Sequence, residues 1–235
     1  MAEDMSKENE RDLAGYYGYT IPMNEFFRCG LSVDCVIFGY DKKEISVLLI
    51  KRGVEPFKGE WALPGDLMYP YEGLNEAATR VLKSLTGINS LYMEQLKTFG
   101  EVNRHPIGRI ITVSYYALVN MEDYNPKASS WAELLEWHPI GTIPDLAFDH
   151  NEILESSIHS LRKDFITDSL GFKLLPKKFT LNDVQYLHEA IMDEKYDKAN
   201  FRKKILASKR LVPLEETENN VSHRPAKLYA FEEAN

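Results

Sequence analysis

Residues 65–88 read GDLMYPYEGLNEAATRVLKSLTGI. Leu74, Ala77, Ala78, Val81, Leu82 and Leu85 recur at helical spacing, so a single apolar face runs through an amphipathic helix. Gly87 is placed to end it. The frame is that of a metal-dependent catalytic helix. Carboxylates three and four residues apart share one helix face and converge on a hard cation such as Mg²⁺. Here the positions that need them carry Val81, Ser84 and Leu85, which leaves Glu72 and Glu76 as the nearby acids. A helix that keeps the frame and lacks the oxygens reads as scaffold.

Outward from this helix, residues 31–40 (LSVDCVIFGY) and 45–52 (ISVLLIKR) are rich in β-branched and aromatic residues and flank a polar turn, the pattern of a hairpin. EWALPGDLM (60–68) is a short strand running into a loop. Residues 95–102, 109–120 and 133–140 supply further strands. HNEILESSIHSLRKDFI (150–166) is a second helix, with Asp149 placed to cap its first turn. A boundary falls near 165–178, where Gly171 and Pro176 break regular structure. Beyond it, 180–192 is a helix capped by Thr180, and 197–208 a helix capped by Asp197. Strands follow at 210–215 and 226–231, around a polar loop. The order is that of a winged helix-turn-helix. The expected class is α+β: a mixed sheet between helices, followed by a winged helix, with an N-terminal arm over 1–27, a first domain over 28–168 and a second over 173–235.

The chain has 235 residues, a hydrophobic fraction of 44% and 27% charged residues, which suits a soluble protein with a real core. It has no apolar run of membrane-spanning length, and the acidic N-terminus lacks the apolar segment of a secretory signal. Cys29 and Cys35 form no disulfide framework, and Cys35 in its strand reads as a buried inert thiol. A cytoplasmic protein is expected. Net charge is -8. From Gly171 onward there are 12 Lys and Arg against 10 Asp and Glu, a net of +2, so the first 170 residues carry -10. The acidic body is joined to a tail in which FRKKILASKR (201–210) is the candidate polyanion patch.

Residues 66–88, with the preceding ALPG, resemble a Nudix box, G-x5-E-x7-R-E-U-x-E-E-x-G-U. In register, Glu72, Arg80, Gly87 and Ile88 match; Asp66 stands at the first Gly, and Val81, Ser84 and Leu85 at the remaining acids. LLPKKFTLNDVQYLHEAI, DKANFRKKIL and HRPAKLYAF resemble the winged helix of Nudix-related transcriptional regulators. That resemblance implies a DNA-binding homodimer that represses sugar-utilisation genes, with the Nudix-like unit as a non-catalytic effector domain needing no cofactor and no metal. One branch of the family senses ADP-ribose-type nucleotides in nicotinamide-cofactor metabolism. Another, in gut Bacteroidetes, has a decayed box and responds to L-arabinose; the decayed box here points to that branch, with ADP-ribose sensing or residual hydrolysis through Glu72 and Glu76 as the alternatives.

By the same resemblance, Arg52, Lys58, Trp61, Asp66, Glu72, Arg104 and His150 map near the effector pocket. Trp61, Asp66 and Arg104 suit a sugar, which takes polar partners at its hydroxyls and a ring against its apolar face. Trp61 as a core ring and Arg104 as a surface residue are the competing readings. For DNA, the candidates are Lys178, Thr180, Lys198, Asn200, Arg202, Lys203, Lys204, Lys209 and Arg210, with His223, Arg224 and Lys227 in the wing. Phe201, Ile205 and Leu206 are expected in the core.

Overall fold

The computed structural model describes residues 29–89, 91–167, 174–208, 210–219 and 224–231. The arm over 1–27, Lys209 and His223 lie outside the described residues.

Strands β1 (Gly30–Tyr40), β2 (Ile45–Arg52), β3 (Trp61–Ala62), β4 (Gly65–Leu67), β5 (Glu94–Phe99), β6 (Ile110–Asn120) and β7 (Ala132–Pro139) form one sheet. The main path runs β3-β2-β1-β6-β5, with β4 paired to β1 and β7 to β2. β1 and β6 are parallel along their whole length, and the other pairs are antiparallel. Helix α1 (Leu74–Thr86) covers one face and α2 (His150–Thr167) the other. This explains the nearly continuous apolar run of β1. Val33, Cys35 and Ile37 pack with Ala78, Val81 and Leu85 of α1, while Val36, Phe38 and Tyr40 pack with Ile153, Leu161 and Phe165 of α2. Burial pushes the Cys35 thiol pKa upward, consistent with an inert core residue.

α1 starts where the Gly73 N–H donates to the Glu76 carboxylate (2.9 Å) and ends at Gly87, whose φ of 71° closes the helix through an N–H to the Lys83 carbonyl. Glycine tolerates that left-handed conformation without the Cβ clash of other residues.

The second unit contains α3 (Leu181–Met192), α4 (Lys198–Ala207) and the antiparallel pair β8 (Leu211–Thr217) and β9 (Lys227–Phe231). The side chains of Thr180 and Asp183 cap α3 reciprocally, and Asp197 caps α4 by accepting from the Asn200 N–H at 2.9 Å. Phe179, Leu181, Val184, Phe201, Ile205 and Leu211 make its core. Leu206, expected there, is 44% exposed. Phe201 and Ile205 are four residues apart and point inward together; Leu206 lies about 100° further round the helix. Leu187 and Ile191 of α3 enter the same apolar cluster as Leu161 and Phe165 of α2, so the second unit is seated on α2.

Candidate effector cavity and DNA-binding surface

A cavity of about 210 Å³ opens beside the start of β1 and β6, bounded by the loop after β2, the loop before β6 and the residues that lead into α2. The parallel register sets Ser32 opposite Thr112, and their hydroxyls are hydrogen-bonded. Asp34 follows on the same side of β1 and also lines the cavity.

Two arginines dominate it. The Arg104 side chain is 3% exposed; its guanidinium grips Asp149 with two bonds, at 2.6 and 2.7 Å, and donates a third to Thr112 at 2.7 Å. The Arg52 side chain donates from Nε to the Pro56 carbonyl at 2.7 Å and lies against the rings of Trp131 and Phe148. Phe148 stacks on His105 and meets the edge of Phe57, both at 4.7 Å between centroids.

Burial pushes the Asp34 carboxyl pKa up to about 7, against the lowering influence of Arg104. His150 accepts the Leu63 N–H at Nδ1 (3.0 Å), which leaves the ring hydrogen on Nε2, 3.5 Å from Asp34. Burial pushes its pKa down to about 3, so the ring is neutral at physiological pH. His105 is also pushed down, again by burial first. Near neutrality the cavity therefore holds two guanidinium groups, neutral imidazoles and the Asp34 carboxyl that resists ionisation, with the Glu55 and Asp66 carboxyls also on its wall. Its chemistry suits an anion flanked by aromatic surface.

Of the seven effector candidates, Arg52, Asp66, Arg104 and His150 line this cavity. Three sit elsewhere. Trp61 packs in the apolar cluster under α2, its ring 4.5 Å from that of His138, and so takes the core reading. Lys58 is exposed on the loop after β2. Glu72 is held by Arg80 through bonds of 2.6 and 2.8 Å and accepts the Tyr69 N–H, so Arg80 lowers its pKa and occupies its oxygens. Asp149 stands where a cap of α2 was expected, and its backbone carbonyl does accept from Ile153. Its carboxylate, however, is bound by Arg104. Reading the sequence missed Asp34, His105, Trp131 and Phe148. The signal available for Asp34 was a lone acid inside an apolar strand.

At the box helix, Val81 and Leu85 are fully buried against the sheet, and Ser84 donates to the Val81 carbonyl at 3.1 Å. Glu76 is engaged by the Gly73 N–H, so both acids considered for residual metal binding already have protein partners.

In the second unit, Lys198, Asn200, Lys203 and Lys204 are exposed on α4, and Arg210 is exposed just beyond it. Arg202 is partly buried and donates to Asn182 of α3 at 3.2 Å, which ties the two helices together. Thr180 is 4% exposed, with its hydroxyl engaged by Asp183, so it positions α3 rather than offering a free hydroxyl to DNA. Lys178 is exposed but paired with Glu216 of β8 at 2.7 Å. Arg224 and Lys227 are exposed at the other side of the β8–β9 loop.

The NUDIX domain model matches residues 30–157, and the model of the NrtR DNA-binding winged helix domain matches residues 171–231. The chain is 34% identical over 207 residues to the ADPR responsive transcriptional repressor NtrR of Acinetobacter baylyi, covering 86% of this chain and 81% of that one. It is 32% identical over 146 residues to an ADP-ribose pyrophosphatase of Methanocaldococcus jannaschii, covering 62% of this chain and 79% of the relative. NrtR of Shewanella oneidensis has been solved with a 27mer DNA, and this chain resembles it with a TM-score of 0.64 and 28% identity, over 86% of this chain and 93% of that one. The Nudix domain of the same protein, solved with ADP ribose, gives 0.54 and 31%, over 63% and 97%. These relatives stand with ADP-ribose and lend no support to the expected nearness to arabinose-responsive regulators. The chain belongs to the family of transcriptional regulators that join a Nudix domain to an NrtR DNA-binding winged helix domain.

Proposed function

We propose that this protein is a transcriptional repressor that binds an operator as a homodimer and is released by an ADP-ribose-type nucleotide. In this reading residues 28–168 bind the effector and residues 173–235 bind double-stranded DNA. The observation that carries the effector class is the pair Arg52 and Arg104 in one partly buried cavity with aromatic walls. A diphosphate takes paired guanidinium groups, and its nucleoside takes ring surface. The similarity to an ADPR responsive repressor across most of the chain supports the same class. At about 210 Å³ the cavity encloses a ribose-phosphate portion, with the rest of a dinucleotide-sized ligand crossing its mouth.

The Nudix unit binds rather than hydrolyses. Val81 and Leu85 provide no oxygen for a metal, while Glu72 and Glu76 hold the entry to α1. The pentose reading retains one favourable observation, the small cavity with Asp66 and Trp131 on its wall.

A thermal-shift titration of the full chain with ADP-ribose and with L-arabinose tests the effector. A ligand at a hundredfold excess over its Kd adds about 2.7 kcal/mol of stability. ADP-ribose is expected to raise the melting temperature and to release the protein from duplex DNA of its own upstream region. A rise with L-arabinose alone would reverse the effector assignment. Magnesium-dependent conversion of ADP-ribose and water to AMP and ribose 5-phosphate, lost in Glu72→Gln, would make the unit a hydrolase.

A further inference from the structure

The effector cavity and the DNA-binding unit meet opposite ends of one helix. α2 has 18 residues and is about 27 Å long at 1.5 Å per residue. Its first residue, His150, lines the cavity, and the preceding residue, Asp149, is the partner of Arg104. At its far end, Leu161 and Phe165 pack with Leu187 and Ile191 of α3, and the Arg162 Nε donates to the Ile191 carbonyl at 3.0 Å. α3 is in turn tied to α4 through Asn182 and Arg202.

Two features at the cavity end make the arrangement suited to switching. Asp149 stands at the N-cap position of α2, yet its carboxylate is bound by Arg104, and in the first turn the Glu152 N–H goes to the Asp149 backbone carbonyl at 2.9 Å and the His150 N–H to the Ala147 carbonyl, with no bond to the Asp149 side chain. Immediately before it, Phe148 has φ of 58°, a left-handed conformation that is costly for a bulky residue. The strained residue is itself a wall of the cavity.

We propose that an anionic effector acts by taking the Arg104 guanidinium from Asp149, which frees Asp149 to cap α2 and lets the helix and the DNA-binding unit seated on it move together. The inference rests on the effector reading given above, and it adds the route by which that effector reaches DNA. Three of the five Arg104 N–H groups already serve Asp149 and Thr112, and the Nε–Nη2 fork is the part that grips Asp149, so a phosphate that takes this fork displaces the Asp149 carboxylate. Losing the pair removes the ion pair between the start of α2 and the loop before β6, leaving the Phe148–His105 stack as the neighbouring contact. Phosphate and Asp149 thus compete for one cation, and binding energy at the cavity is converted into a different setting of α2.

The test breaks the pair without any ligand. Arg104→Gln removes the cation. Asp149→Asn removes the charge yet leaves a side chain that caps helices as well as the original. Neither residue belongs to the second unit, so a merely local role leaves DNA affinity unchanged. Fluorescence anisotropy of the full chain on its upstream duplex should show each variant binding about tenfold more weakly than wild type, within the range typical of coupled sites. Melting curves confirm that the variants are folded; should Arg104→Gln fail to fold, Asp149→Asn decides. Folded variants that bind DNA as wild type does, while ADP-ribose still weakens wild-type binding, would overturn the α2 route and leave the effector reading standing. Weakened variants with a wild type indifferent to ADP-ribose would uphold the route and overturn the effector.

Discussion

Arg52 lies between Trp131 and Phe148, its guanidinium carbon 4.8 and 4.9 Å from the two ring centroids. The three residues come from the end of β2, the residue before β7 and the approach to α2, so the contact joins separate parts of the chain. Planar guanidinium suits such a slot and ammonium does not. Burial lowers the Arg52 pKa, although not enough to discharge an arginine.

Arg52→Lys should therefore behave as a loss. Affinity for ADP-ribose, read by calorimetry, is expected to fall about tenfold or more, since charge-assisted hydrogen bonds contribute roughly 1.5–3 kcal/mol. Trp131→Ala should weaken it as well, whereas Trp61→Ala should lower the melting temperature and leave affinity nearly unchanged. Equal affinity in wild type and Arg52→Lys would remove Arg52 from the effector site.

Writing the acids back into the box should not restore a metal site. Val81 and Leu85 have no exposed surface and pack against the sheet. An isolated carboxylate there loses its hydration without a partner, at a cost of several kcal/mol. Val81→Glu and Leu85→Glu are expected to unfold the first unit or to lower its melting temperature by more than ten degrees. Leu85→Ala should cost about 2–5 kcal/mol by leaving a cavity. A folded double Glu variant that binds Mg²⁺ would refute this account of α1.

Much of the fold was legible because its signals are local. The apolar spacing of α1, the Gly87 stop and the caps at Thr180 and Asp197 each depend on a few neighbouring residues. The cavity was only partly legible. Choosing Trp131 over Trp61 requires knowing where the residues before β7 come to rest, and no periodicity encodes that. Arg104 was visible as a cation, but its partner Asp149 is 45 residues away, and the cap position suggested a different bond. Leu206 shows the opposite limit: on a ten-residue helix with two buried positions, an apolar residue at the margin is exposed.

Stability should depend on pH through Asp34. Its pKa is raised from 3.8 to about 7, with burial as the main cause. Below 3.8 both folded and unfolded chains hold the proton, and Asp34 contributes nothing to the difference. Between 3.8 and about 7 the unfolded chain releases a proton that the folded chain keeps, so stability falls as pH rises. The penalty is complete above about 7, on the order of a few kcal/mol. Asp34→Asn should thus raise the melting temperature at pH 8 and change it little at pH 4. A gain that is equal at both values would show that Asp34 is not the group responsible.

The second unit makes a sharper prediction about which cations touch DNA. Lys203 and Arg202 are neighbours in sequence and different in setting. Lys203 is exposed on α4, so Lys203→Ala should weaken operator binding without altering the melting temperature. If it meets a phosphate, its loss reduces the slope of log affinity against log salt by about one. Arg202 is partly buried and bonded to Asn182, so Arg202→Ala should lower the melting temperature as well as the affinity. On β8, Glu215 and Glu216 are exposed, and Glu216 holds Lys178. Glu216→Gln releases that lysine and removes a negative charge near the expected DNA path. Its affinity should rise at low salt, and the gain should shrink as salt screens the charge. Anisotropy at two salt concentrations reads all three variants. A Glu216→Gln protein that binds no more tightly than wild type would place β8 away from the DNA and confine the interface to α4.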